Sequence, residues 1–376
     1  MDYTKGYSAV FYAMLLDPVN WMETERVELI SGSISRTSSG LRQSANLQVR
    51  DFDQTRERYI RVYMDTRQEA DVDHVALFTG LASAPREDTD GVVKTHDLEC
   101  FSVLLPMDIP LLLGEYIPYG MNAGTAIRRL MKPVYAPVVI EDGTPALEDY
   151  IVAEENETNV TMVQKILDAI GWQLVIDGDG TIRVRPRPEK PAASFSAIAA
   201  DIIERNPSKT MDWYKAPNVV RATSGDAVAV ARDDDPSSPL STVVRRREVV
   251  DEEKDVTLAS DEGLAEYTKR KLKEKQQIAE SADYPRRFMP GVTVGDMVDI
   301  NYDRLQGEYE VTSQNINLTY NAQTQEHVER IADRQKLPMD VVPIQQWYAL
   351  VMPEDKYLIM PDGCRLLMPH KTIVSN

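Results

Sequence analysis

The segment Tyr59-Ile-Arg-Val-Tyr-Met alternates β-branched or aromatic residues with arginine. Successive side chains of a strand point to opposite faces, so a period of two commits a segment to a half-buried sheet. The stretch Tyr7–Leu16 is densely apolar, and His74–Leu81 and Leu98–Leu105 read as further strands. Ser31-Gly-Ser and Thr37-Ser-Ser-Gly supply turn residues between them. Short strands at this spacing predict a sandwich or barrel over residues 1–105.

The pattern changes after Pro106. Ala123–Met131 reads as a short helix, and Thr158–Ile170 as a clearer one. There Val160, Val163, Ile166, Leu167 and Ile170 share one face. Thr158 is placed to cap that helix at its N-terminus and Gly171 to end it. Trp172–Ile176, the turn Asp177-Gly-Asp-Gly and Thr181–Arg185 then spell a hairpin. Residues 106–190 are therefore expected to form a small α+β domain, with Pro186, Pro188 and Pro191 marking a linker. From 191 the β character returns in Asn218–Thr223 and Ser241–Val244, separated by the charged loop 233–239. Asp261–Ser281 predicts a helix with Leu264, Tyr267, Thr268 and Leu272 inward. Val292–Tyr302 and Gly307–Tyr320 predict a long hairpin, so 191–338 reads as a second β domain with one helix.

The remaining segment, 339–376, holds three octads. Leu350, Leu358 and Leu366 recur every eight residues, and so do Met352, Met360 and Met368 and Pro353, Pro361 and Pro369. Eight is even, so in extended chain each repeat returns its Leu and Met to one face. Proline ends each strand because it cannot donate to a ladder. Strands this short do not stabilise themselves in water. Two readings stay open: a small β-meander packed on the chain's own third domain, or a trimerising and partner-docking prism built on Leu350, Met352, Leu358, Met360, Leu366 and Met368.

The chain of 376 residues carries 60 acidic and 42 basic residues, a net charge of -18. A sequence-independent grip on DNA or on an anionic membrane needs a basic face and is disfavoured. The acid keeps the protein soluble, or lines a conduit that must not hold nucleic acid. Cys100 and Cys364 form neither a metal spacing nor a disulfide framework. The N-terminus makes a poor signal peptide, and no apolar run nears the roughly 18 residues of a membrane span. The expectation is a protein folded in the cytoplasm and not inserted in a membrane.

Motifs for catalysis are weak. Asp177-Gly-Asp-Gly resembles the start of a calcium loop but lacks its distal acidic ligands, so a hairpin turn explains it better. His96 and Cys100 lie about 13 Å apart on one face if the segment is a strand, too far for a nucleophile and its base. Glu154-Glu155 and Glu252-Glu253 read as solvated surface, and Lys269–Lys275 as a solvated helix face. Arg245-Arg-Arg is a candidate for pairing with an acidic neighbour. No histidine cluster, nucleophile elbow or phosphate loop is present in the sequence, so no cofactor, metal or catalytic residue is expected.

Four stretches carry a resemblance: Ile30–Thr37 followed by Leu41–Val49; Ile60–Tyr63 with Ala76–Gly80; Val163–Pro186; and Pro290–Ile300. Together they resemble the tail-hub, or baseplate-hub, proteins of tailed bacteriophages, including the N-terminal part of tail-associated lysins, over residues 1–335. The resemblance implies a mainly β chain: two tube-type β-barrel domains flanking a small α+β domain, with the octads as a short C-terminal β tail. It also implies a ring-shaped homotrimer at the distal end of the tail tube. Its partners would be the distal tail or tube protein and a spike, fibre or receptor-binding protein, with DNA passing through the lumen without specific binding. Hydrolysis is not carried over. A cell-wall hydrolase or peptidase of the tail-associated lysin type is the alternative, and a host-surface binding module a third reading.

Overall fold

The computed structural model describes residues 1–330 except 4, 54–56, 91–92, 112–115, 148–149, 154–155, 197–206, 212–213, 215, 225–226, 255–262, 277–279, 303–304 and 320–321; beyond them it describes 347–349, 351–352, 356–357 and 367–369. The chain divides into two compact units. The first holds Met1–Thr210 and Glu280–Ile331, and the second includes Met211–Ala279.

The first unit begins with β1 (Ser8–Leu16), β2 (Glu23–Val27), β3 (Leu29–Thr37), β4 (Gln43–Arg50), β5 (Arg58–Gln68), β6 (Asp71–Asp90) and β7 (Val93–Ser102). Only Glu28 separates β2 from β3, so 23–37 runs as one bent strand. Its first part pairs β1 and its second part pairs β4, both antiparallel. The pairing continues β4–β7–β6–β5–β1, which closes the sheet on itself. Closure removes open edges, the hazard of any exposed strand. Ala13, Leu15, Val27, Ile34, Leu47, Val49, Ile60, Val62, Leu77, Leu98 and Cys100 fill the interior from every strand of the ring. Burying each large aliphatic contributes about 1.5–3 kcal/mol. Ser31-Gly-Ser, expected as a turn, lies inside β3. A bulge between Leu29 and Ser31 absorbs the irregularity and the ladder continues.

The α+β insertion follows. It contains β8 (Tyr116–Ile117), α1 (Ala123–Leu130), β9 (Val138–Ile140), β10 (Ile151–Val152), α2 (Asn159–Ile170), β11 (Trp172–Ile176) and β12 (Ile182–Pro186). The sheet order is β11-β12-β9, with β12 parallel to β9. Asn122 caps α1 by accepting from the Thr125 amide at 3.1 Å. Thr158 and Thr161 cap α2 reciprocally, and Gly171 ends it at φ 70°. Ile127, Leu130, Met162, Val163, Ile166, Leu167, Leu174, Ile182 and Val184 form its own core.

β13 (Ala193–Ser196) and β14 (Ser208–Met211) return to the large sheet. The second unit then holds β15 (Val219–Ser224), β16 (Ala227–Arg232), α3 (Thr242–Arg245), β17 (Val250–Glu253) and α4 (Leu264–Gln276). Its sheet runs β16-β15-β17, and α4 packs on it through Leu272 against Val220 and Ala231. Lys275 of α4 bridges Asp251 and Glu253 of β17. Ser241–Val244, expected as a strand, is instead the start of α3: Ser241 Oγ accepts from the Val244 amide at 3.2 Å. The cap overrides the β-branched Thr and Val side chains.

The chain rejoins the first unit with β18 (Glu280–Arg287), β19 (Met297–Tyr302), β20 (Leu305–Asn317) and β21 (Gln323–Arg330). β19 starts five residues later than the expected strand. Gly295 at φ 88° turns the chain, and Asp296 accepts from the Thr293 amide at 2.9 Å. The order β13-β19-β20-β21-β18-β14 makes a second set, of six strands. Phe195, Tyr284, Val298, Ile300, Tyr309, Val311 and Val328 are its core. Four short strands, β22 (Trp347–Ala349), β23 (Val351–Met352), β24 (Lys356–Tyr357) and β25 (Leu367–Pro369), pair as β22–β25 and β23–β24.

Candidate functional site

One strand pair joins the two β sets. β20 pairs β21 along one edge. On its other edge it pairs β19 over Leu305–Glu310, then β3 over Ser313–Asn317. β3 is built the same way, with β4 on one edge and β20 on the other. The result is a continuous sheet of 13 strands.

A row of polar side chains crosses this seam. Arg36 on β3 stands opposite Gln314 on β20, which stands opposite Glu326 on β21, which stands opposite Tyr284 on β18. All four are buried. Gln314 Nε2 donates to Glu326 Oε1 at 2.6 Å and to the Val292 carbonyl at 3.0 Å. Arg36 donates to Gln314 Oε1 at 3.4 Å and to the Leu77 carbonyl at 2.5 Å. Arg286 pairs with Glu326 at 2.5 Å, both side chains 0% exposed, and its guanidinium lies 5.6 Å from the Phe195 ring centroid. Burial, aided by Arg286, pushes the Arg36 guanidinium down to about 10, with Asp177 and Glu326 opposing. Sliding β20 by one residue would turn Gln314 to the opposite face and orphan these groups. The row therefore fixes the register in which the two β sets join.

The inserted domain is seated on both sets. A bulge in β6 opposite Val62 and Tyr63 leaves Leu77 unpaired in the ladder, which frees its carbonyl for Arg36. Next to the bulge, Thr79 Oγ1 donates to the Gly178 carbonyl at 2.8 Å, and Arg61 donates to the Asp179 carbonyl at 2.7 Å. The Asp177-Gly-Asp-Gly turn is thus a seat on the barrel wall. Toward the second β set, Arg185 pairs with Asp296 at 2.6 Å. Burial raises the Asp296 carboxyl above its ordinary range, although Arg185 and the Thr293 amide oppose this.

The octad positions predicted as a docking site fall only in part on described residues. Met352 lies on β23 and pairs Lys356, and Met368 lies on β25 and pairs Tyr348. Leu350, Leu358, Met360 and Leu366 lie outside the described residues, as do Glu154, Glu155 and His370. His96 and Cys100 both point into the first barrel, 2% and 0% exposed. Burial, with Glu99, pushes the Cys100 thiol well above its ordinary range, which disfavours the thiolate that a nucleophile needs. Arg245 donates to the Ala216 carbonyl at 2.7 Å and Arg247 covers the Tyr214 ring. No group of three or more His, Cys, Asp or Glu poised for a metal occurs among the described residues.

No protein-family model matches the chain, and no curated protein matches it. Solved structures do. A tail protein from Neisseria meningitidis matches with a TM-score of 0.59 at 17% identity, over 87% of this chain and 97% of that one. The 43 kDa tail protein of prophage MuSo2 from Shewanella oneidensis matches with a TM-score of 0.60 at 13% identity, over 85% and 96%. Prophage tail protein gp18 from Listeria monocytogenes matches with a TM-score of 0.51 at 12% identity, over 86% and 95%. The chain has the mainly β fold, with its small α+β part, of phage tail proteins, as the four sequence stretches suggested.

Proposed function

We propose that this protein is the structural hub of a phage tail, located in the virion at the tail tip. Three copies form a ring at the distal end of the tail tube. The ring links the tube or distal tail protein above to a spike, fibre or receptor-binding protein below, and its lumen is part of the DNA conduit. The chain is not an enzyme in this reading.

One observation carries it. β3 and β20 fuse a seven-stranded and a six-stranded β set side by side into one sheet within one chain. Three such chains present six β sets, so a threefold ring can meet a sixfold tube without mismatch. The buried Arg36–Gln314–Glu326–Arg286 network supports it, since a load-transmitting ring needs its subunits' halves locked in register. The net charge of -18 per chain suits a lumen that must release DNA.

The test is the solution mass. Light scattering is expected to give three times the 42.4 kDa chain, about 127 kDa. A mass of one chain at assembly-relevant concentration contradicts the hub reading.

A further inference from the structure

We propose that the junction of the first barrel, the second β set and the inserted domain holds one internal water molecule that bridges Arg36 Nε and Gln43 Oε1. Arg36 and Gln43 are direct cross-strand partners on β3 and β4. They are 7% and 5% exposed. Their remaining polar atoms are engaged: both terminal nitrogens of Arg36 donate to Gln314 and Leu77, and Gln43 Nε2 donates to the Thr79 carbonyl at 3.4 Å. Arg36 Nε and Gln43 Oε1 have no hydrogen-bond partner among the described residues. One is an obligate donor and the other an acceptor.

Both residues line the same cavity, of about 20 Å³. Its walls include Arg42 of the first barrel, Leu174 and Ile176 of β11, and Thr293 beside β19. A site holds a water when it offers roughly 10–15 Å³ and at least two polar partners. A water here accepts from the Arg36 Nε–H and donates to Gln43 Oε1, which satisfies both groups at once. The positive charge of Arg36 and Arg42 would also suit a small anion such as chloride. The Gln43 oxygen decides against it, because an anion leaves that acceptor unpaired and faces it with like partial charge. All three parts contribute to its wall. The water is then a hydrogen-bonded link between β3 and β4 at the point where the three parts meet.

High-resolution crystals grown in sodium bromide test this directly. The expected result is a single density peak about 2.7–3.2 Å from both atoms, with no anomalous signal at the bromine edge. An anomalous peak at the site overturns the water in favour of an anion, and a cavity without density overturns it outright. In Gln43→Leu the peak is expected to vanish; a peak that persists contradicts the bridge. Should Gln43→Leu not fold, the wild-type crystal alone decides between these results.

Discussion

Gly178 rests against the Ala76 carbonyl: a Cβ on Gly178 would stand 1.8 Å from that oxygen. No side chain fits there, so the turn of the inserted domain reaches the barrel wall only because residue 178 is glycine. Gly178→Ala is expected to push the turn off β6 and destabilise the first unit by about 1–3 kcal/mol, the usual cost of overpacking. Gly6→Ala, where a Cβ meets only the end of the Arg287 side chain at 3.9 Å, should change stability by less than about 0.5 kcal/mol. Urea unfolding of the two variants makes the comparison. Equal midpoints would show that the turn is not a seat.

The seam should behave as a buried ion pair. Arg286→Met leaves Glu326 charged, buried and short of a partner, and is expected to cost about 3–5 kcal/mol. The double variant Arg286→Met, Glu326→Leu should recover a large part of that loss, because both charges are gone. A double variant no more stable than Arg286→Met would mean that the pair's worth lies elsewhere.

Glu280 gives the acid limb a defined slope. Burial raises its carboxyl, but Lys209 and Tyr309 bound to it, with Arg330 nearby, outweigh burial and hold it below the ordinary value of 4.5. A carboxyl lowered by folding binds fewer protons in the native state, so its stabilisation is full above the unfolded value and is lost as pH falls through the folded one. Stability of the wild type is therefore expected to drop below pH 4.5 more steeply than that of Glu280→Gln. Asp296 has the opposite sign: its carboxyl is raised by burial, so Asp296→Asn should remove a loss of stability that sets in as pH rises above 3.8. Thermal melts from pH 3 to 7 check both signs, and parallel curves for wild type and Glu280→Gln would refute the first.

Removing residues 345–376 tests the octads. The truncated protein is expected to keep its folded ring but to lose the distal partner or part of its trimer stability. Co-purification with the partner and a mass measurement on dilution read the two effects. Retention of both would make Leu350, Met352, Leu358, Met360, Leu366 and Met368 ordinary packing.

Much of the scaffold was legible in the sequence because it depends on local periodicity. The alternation at Tyr59–Met64 became β5, and the Thr158 cap and Gly171 stop bounded α2 within a residue. What sequence reading missed depends on distant partners. Nothing local to Asp177-Gly-Asp-Gly says that Ala76 will press on Gly178. Arg286, Gln314 and Glu326 did carry a signal. Arg286 follows Ala282 and Tyr284, and Glu326 precedes Val328, each in the buried phase of its strand. A charged residue in the apolar phase of a period-two pattern calls for a buried partner, although only the pairing of β20 with β3 and β21 identifies that partner. Ser241–Val244 misled for the converse reason: β-branched residues favour strands, yet one capping serine was enough to start a helix turn.

Electron microscopy of the purified full-length chain tests the central claim most directly. Averaged end-on views are expected to show closed rings of three chains, with six β lobes around a central channel. Single particles of one chain, or closed assemblies without a channel, would contradict the account of this protein as a tail hub.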